Sequence, residues 1–572
     1  MFVNLIYVGK TPFAGFRRIS VICSIRRISM ARNKLAIILI VAIGAWAASS
    51  CSPIPNTDAR IMTLTRGING DPESLDPHRF SSTQAGDILR DIGEGLLSYS
   101  ATGEIIGGVA SSWNVSADGL QYTFHIRRDA RWSNGEPVTA HDFVYSFRRL
   151  FNQGATSSSL DYLSSFENAQ LIIKGEKPPS ALGVTAQGDN TLTVRLESPT
   201  PYFLQLLTHP SSFPVYRPAI EKFGDMFVRP GNLITNGAYR LAERVPSSTI
   251  TLVRNEHYWD NANTWFDRVI HHVLDPASEV ARYRAGELDV TSNVDSGVFE
   301  IMREQRPDEL KVAPYLGVYY YGLNLSRPPF KNNPMLRQAL SMAIDRETVV
   351  SAITRRGELP AYSFVPPGVS NYEPQPLAYK FLSVKERHEE ARRLYKESGY
   401  GPSNPLRFEL RYNTVGGHKN IAVAVQAMLK NVLGAEAKLV NEEFKVFISN
   451  VVAMNITESY RLSWTGDYND AQSFLQLFES GNANNLTAYS NDEVDALMKK
   501  AAAEVDLSVR RRYLEEAERL ALADHPLVPV YFFVNKHLVQ PYIRGWEPSL
   551  LDFHFSKHLR RDLPYLGVKD HD

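Results

Sequence analysis

A chain of 572 residues with 44% hydrophobic and 22% charged residues has the composition of a globular protein and is too long for one core. Two to four domains of about 100 to 200 residues each are expected, and disorder is excluded. Its formal charge of zero hides an uneven distribution: seven cations (Lys10, Arg17, Arg18, Arg26, Arg27, Arg32 and Lys34) precede the first carboxylate, so the remainder is acidic, which argues against nucleic acid as a partner.

From Met30, where translation is expected to start, "MARNKLAIILIVAIGAWAASSC" runs from basic to apolar to small residues, the build of a secretory signal. Its end resembles a bacterial lipoprotein signal, which implies acylation of Cys51, although Ala48 stands where such signals usually have Leu. Residues 1–50 are therefore read as leader. Cys23 is the only other cysteine, so the mature chain has no internal disulfide and relies on its core.

After a polar tether the spacing predicts a strand at "IMTLTRG" and a helix carrying Ile88, Ile92 and Leu96. Tyr122, Phe124 and Ile126 alternate as a strand, Asn134-Gly135 marks a turn, and Thr139 opens a helix with Phe143, Val144 and Phe147 on one face. "TLTVRLESPTPYFLQLL" reads as strand then helix, and "YRLAERVPSSTITLVR" as a hairpin turning at 246–248. Beyond the strand "VYYYGLNL", Pro334 starts a helix expected to run toward Gly357. Further helices are predicted at Lys385–Ser398, His418–Leu433 and Leu507–Ala523, then a buried strand and its return in "LVPVYFFVNKHLVQPYIRGW". Strands and helices alternate without a fixed repeat, so mixed α/β layers in at least two lobes are expected.

No catalytic signature stands out. "HEEAR" at His388 lacks a second histidine, there is no nucleophile elbow or P-loop, and His271 and His272 point to opposite faces of a strand. No cofactor and no metal site is expected, since no convincing histidine cluster is visible. "RLSWTGDYND" poses a different question, because Asp467 stands between Trp464 and Tyr468. Such a carboxylate, if buried, needs a cationic partner from the chain or from a ligand.

Read in order, "SLDPHRF", "IGEGLLSY", "YTFHIRRDARWSNGEPVTAHDFVYSFRRL", "TNGAYRLAERV", "RNEHYWDNA", "YRAGELDV", "YYYGLNLSRPPF", "LRQALSMAIDRETVV", "SWTGDYNDAQSFL" and "VPVYFFVNKHLVQPY" resemble the extracytoplasmic oligopeptide-binding proteins of ABC importers, the large peptide/nickel class of solute-binding proteins. The resemblance implies an α/β, two-lobed periplasmic-binding-protein fold of the three-domain type with mixed sheets. Domain I would comprise 57–93, 218–316 and 534–572, domain II 94–217, and domain III 317–533. It further implies a monomeric, periplasmic, non-enzymatic protein that closes on short extended peptides and hands them to permease subunits. Relatives in this class also take dipeptides, murein peptide, haem, nickel and other solutes. An exported peptide hydrolase is the alternative of another class.

Carried over residue by residue, Asp467 matches the aspartate that receives a peptide's α-amino group. Arg461 and His418 match residues that meet the terminal carboxylate of shorter and longer peptides. Trp464 and Phe444 would wall the cleft. Main-chain pairing would fall to Ser81, Ser82 and Thr83 and to residues 461–465, including Thr465. Departures are also visible: Gly317 and Thr465 stand where some enteric relatives have a disulfide, Thr354 and Val451 or Val452 replace basic residues, and Ser159 replaces a pocket tyrosine.

Overall fold

The computed structural model describes residues 61–151, 160, 163–414, 417–454 and 457–562. The leader, Met30, Cys51 and Ser159 lie outside the described residues. Among the described residues no helix is long and apolar enough to cross a membrane.

Three larger sheets carry the chain. It begins with β1 (Thr63–Ile68) and α1 (Thr83–Ile92), then builds a four-stranded sheet from β2 (Ala110–Val115), β3 (Gln121–Ile126), β4 (Val184–Ala186) and β5 (Thr191–Arg195) in the order β2-β3-β5-β4. Tyr122, Phe124 and Ile126 turn inward on β3. They meet α2 (Ala140–Leu150), whose Phe143 and Phe147 are fully buried. Asp142 accepts the Thr139 N–H at 2.7 Å and its hydroxyl at 2.9 Å, which secures the start of that helix.

The chain then returns to β1 with β6 (Tyr239–Val245), β7 (Thr249–Arg254) and β8 (Arg268–Val273), making the sheet β1-β8-β7-β6 in which β1 and β8 are parallel. A six-stranded mixed sheet follows, in the order β10-β14-β9-β13-β11-β12. Its strands are β9 (Leu310–Leu323), β10 (Leu359–Pro360), β11 (Arg407–Asn413), β12 (Glu436–Glu442), β13 (Ser459–Thr465) and β14 (Leu527–Leu538). Helices α3 (Pro334–Ala343), α4 (Val384–Glu397), α5 (His418–Leu433), α6 (Asp492–Ala503) and α7 (Leu507–Ala523) contribute to the same large core.

Strands β9 and β14 pair from Leu310↔Leu538 to Gly322↔Leu527. At the Leu310 end Val290 bridges both Arg66 of β1 and Val539, so this ribbon stitches the six-stranded sheet to the sheet of β1. Its register slips between Pro314↔Val534 and Val318↔Phe532, which leaves Tyr315, Leu316 and Gly317 in a bulge. Such bulges bend a strand and re-aim its neighbours.

The structure corrects three sequence expectations. Leu96 is not on α1: the helix stops at Gly93, where a side chain would stand 2.9 Å from Phe213, and a short strand begins at Leu97. The helix from Pro334 ends at Ala343 rather than near Gly357. Asp345 takes the Thr348 N–H (3.1 Å) and hydroxyl (2.6 Å) and starts a new turn. Arg346 beside it is fully buried and donates to the carbonyls of Ala361 and Pro529, each at 2.8 Å. Finally, the segment after β14 does not return along it; Ile543–Arg544 pairs with Arg560–Arg561 instead.

The buried carboxylate of "RLSWTGDYND" is Asp470, not Asp467. It grips Arg510 of α7 at 2.7 and 2.8 Å, with 9% and 3% of the two side chains exposed, and accepts the Gln472 N–H at 2.9 Å. Asp470→Asn leaves that guanidinium buried without its countercharge, so urea unfolding is expected to show a loss of about 3–5 kcal/mol. Breaking the exposed Arg393–Glu397 pair (52% and 47% exposed) is expected to cost about 1 kcal/mol or less.

Candidate functional site

A cleft of about 500 Å³ lies against the ribbon's bulge. Ser81, Ser82 and Thr83 form part of one wall, and Thr465, Gly466 and Asp467 part of the other, with Tyr315 and Leu316 of the bulge between them. Folding thus unites residues almost four hundred positions apart, and five of the nine sequence-predicted ligand residues share this cavity.

Local contacts explain how each wall is held. Ser82 caps α1, its hydroxyl accepting the Ala85 N–H at 3.1 Å. Glu73 accepts the Ser81 and Ser82 N–H groups and the Ser82 hydroxyl. Partial burial works against the Glu73 charge, but the donors from Ser82 and Ser81 outweigh it and hold the carboxyl down to about 2. Those two N–H groups are therefore committed to the protein in this arrangement. Glu73 was not read from the sequence; its only signal is its place in the turn ahead of the serines.

On the opposite wall, the Gly466 N–H donates to Leu316 O at 2.9 Å. A side chain at Gly466 would meet Leu316 and Phe474 at 2.8 Å, so glycine lets the loop lie on the core. Asp467 follows, exposed in the cleft wall, with its N–H donating to the buried Ser473 hydroxyl at 3.1 Å. Just before it, β13 pairs with β9 along Ser459–Thr465, but with β11 only at Ser459 and Tyr460. Among the described residues no strand pairs with the second edge of β13 from Arg461 to Thr465. That edge leads into the cleft at Thr465.

Arg461 and His418 sit elsewhere, in a polar aromatic cluster. Arg461 is 9% exposed, donates to Asn413 Oδ1 at 3.1 Å, and lies 4.8 Å from the ring centre of Tyr319. His418 opens α5, its ring 5.7 Å from that of Tyr319. Its Nδ1 is buried with no hydrogen-bond partner among the described residues. Arg356 reaches the same helix terminus: a side chain at Gly417 would stand 3.2 Å from its Nη2. Burial, then the Arg461 and Arg356 guanidiniums, push the His418 imidazole down to about 4. The cluster is thus cationic through its arginines while the histidine is neutral.

Trp464 is half-buried and donates its Nε1–H to Ser473 O at 2.6 Å. Phe444 begins the helix Phe444–Ala453 and is 52% exposed, outside the cleft lining described above. Gly317 and Thr465 face each other across the ladder; a Cβ on Gly317 would lie 3.4 Å from Thr465 Oγ1.

Residues 104–485 match the profile of the bacterial extracellular solute-binding proteins, family 5, middle region. The chain is 39% identical over 515 residues to the periplasmic oligopeptide-binding protein OppA of Salmonella typhimurium, spanning 89% of this chain and 93% of that protein. Its structure resembles the unliganded open form of the periplasmic murein tripeptide-binding protein MppA, with a TM-score of 0.82, 34% identity and coverage of 88% and 98% of the two chains. Against Haemophilus influenzae OppA in complex with the peptide RPPGFSPFR the TM-score is 0.69, with 35% identity and coverage of 88% and 99%.

In NMR titration the imidazole of His418 is expected to stay neutral from pH 8 to about 5, well below the ordinary histidine value of about 6.5. Arg356→Ala removes one of the charges that oppose protonation, so the midpoint should move up. A wild-type midpoint near 6.5 would contradict the burial and the charges assigned around this ring.

Proposed function

The chain belongs to the bacterial extracellular solute-binding proteins of family 5, and on that premise we propose that it captures short peptides with a free N-terminus and delivers them to an inner-membrane ABC permease. Members of this family are binding components of transport systems and not enzymes. The observation that carries the peptide reading is the edge of β13 left unpaired among the described residues from Arg461 to Thr465, which leads to an exposed Asp467 across the cleft from Ser82, the cap of α1. An extended peptide adds to such an edge through its main chain, indifferent to its side chains. Water-filled space around the side chains adds to that tolerance.

In this reading Asp467 takes the ligand ammonium. An ammonium brings one charge and three donors, and a charge-assisted bond is about twice as strong as a neutral one. Arg461 and His418 receive the far carboxylate of shorter and longer peptides, while Trp464 and Phe444 wall the closed cleft. Domains I, II and III correspond to the sheets of β1, β2 and β9. The similarity to an open, unliganded relative supports an open cleft here, with closure supplied by bending of the β9/β14 ribbon. The place of work is the periplasm, as for the named relatives, with attachment through Cys51 resting on the leader sequence.

A murein peptide is the second reading, favoured by the resemblance to the murein tripeptide-binding protein and by two guanidiniums, Arg461 and Arg356, in one cluster. Competition calorimetry between a plain tripeptide and murein tripeptide ranks the two.

Asp467→Ala should weaken tripeptide binding roughly 30-fold or more, the usual effect of removing one member of an enclosed charge pair. Because the side chain is exposed, stability should change by no more than about 0.5 kcal/mol. Unchanged affinity by calorimetry would remove Asp467 from the site. Mass spectrometry of ligands retained on the native protein should find intact peptides, whereas shortened products from an added peptide mixture would favour a hydrolase.

A further inference from the structure

His537, Asp552 and His554 do not enter the peptide reading, yet the fold brings their ligand atoms together within 4.8 Å of one another. His537 lies near the end of β14 and is 4% exposed. Its Nδ1 is 2.9 Å from Thr291 O and its Nε2 is 2.7 Å from Asp552 Oδ1. His554 Nε2 is 3.2 Å from the same carboxylate oxygen.

The hydrogen bookkeeping of this cluster is restrictive. A carbonyl oxygen only accepts, so His537 carries its proton on Nδ1, and a neutral ring then aims a lone pair from Nε2 at an oxygen that also only accepts. Such a contact holds when a proton or a cation lies between the two atoms. An imidazole donating its other N–H to a backbone carbonyl is the arrangement that orients metal-ligating histidines.

Two further features fix the set. Trp546 stacks on His554 with ring centres 3.5 Å apart and planes 16° apart, which sets the orientation of that imidazole. Asp552 adopts a left-handed backbone with φ of 60°, a conformation that non-glycine residues keep where surrounding contacts impose it. That backbone places its side chain between the two rings, and Asp552 is also part of the cleft lining.

We propose that His537 Nε2, His554 Nε2 and Asp552 Oδ1 bind one divalent transition-metal ion, with a fourth position open toward the ligand cleft. Two imidazoles and a carboxylate form a donor set that suits Zn²⁺ or Ni²⁺ and not Mg²⁺ or Ca²⁺. Binding displaces the protons held at the two Nε2 atoms. The one from the doubly protonated His537 passes to buffer; that of His554 moves to its Nδ1 if the ring is neutral, or is released if it is charged. Arg66 and Lys536 work against the ion: Lys536 is attracted to Asp552, and Arg66 donates to His554 O at 2.8 Å, with Asp91 at 3.9 Å offsetting part of its charge. In sequence the only trace is Asp552 and His554 two residues apart, since His537 is supplied by β14.

The test is calorimetry of chelator-treated full-length protein with Zn²⁺ alone and with Ni²⁺ alone, each in two buffers of different ionisation enthalpy. One ion per chain with release of about one proton or more is expected. Both His554→Gln and Asp552→Asn should weaken binding roughly 100-fold or more. Nitrogen chemical shifts of the wild-type histidines supply a readout that needs no variant: Zn²⁺ should move the Nε2 signals of His537 and His554 and leave His418 in place. Absence of stoichiometric binding, binding unchanged in both variants, or shifts confined to other histidines would each overturn the proposal.

Discussion

Two paired strands govern the site. Strands β9 and β14 leave the six-stranded sheet together and end beside β1, where Val290 ties them in. Their pairing is interrupted at Tyr315–Gly317 and shifts register again between Tyr319 and Tyr320, and the cleft opens at the first interruption. The bulge supplies the Leu316 carbonyl that anchors Gly466, and Gly466 in turn presents Asp467. A bend in this ribbon therefore acts on the hinge and on the proposed amine site through the same few residues.

Charge is distributed with a clear division of labour. Asp470 and Arg510 satisfy each other inside the protein and hold the loop on α7, while Asp467 lines the cleft. At another part of the six-stranded sheet, burial together with Arg461 and Arg356 keeps His418 neutral, and the two guanidiniums make a cationic cluster, with Glu358 Oε1 3.8 Å from Arg356. An exposed anion and a half-buried cationic cluster on one sheet match the two ends of a zwitterionic chain. In the proposed reading binding and folding electrostatics fall to different residues, so an Asp467 substitution separates them.

Local rules were enough for most elements. The helices at His418–Leu433 and Leu507–Ala523 appear with the predicted ends because a glycine or a capping carboxylate marks them in the sequence itself. The helix from Pro334 was overextended because its stop is tertiary: Arg346 is drawn into carbonyls of Ala361 and Pro529, contacts that no local pattern encodes. Similarly, Asp467 and Asp470 are equivalent in a sequence window, and only the arrival of Arg510, forty residues on, tells the internal partner from the exposed one. The cleft's joining of Ser81–Thr83 to Thr465–Asp467 was legible only through the family resemblance, since pairing across such separations depends on sheet order. Glu73's hold on the serines and the gathering of His537 with Asp552 and His554 left only faint local traces, a turn position and a spacing of two residues.

Small-angle scattering of the protein with a tripeptide and with its N-acetylated form tests the central claim that a ligand ammonium at Asp467 drives closure. The account predicts a fall in radius of gyration with the free-amine peptide, and none with the acetylated peptide or with Asp467→Ala at the same concentration. An equal contraction with the acetylated peptide would contradict it.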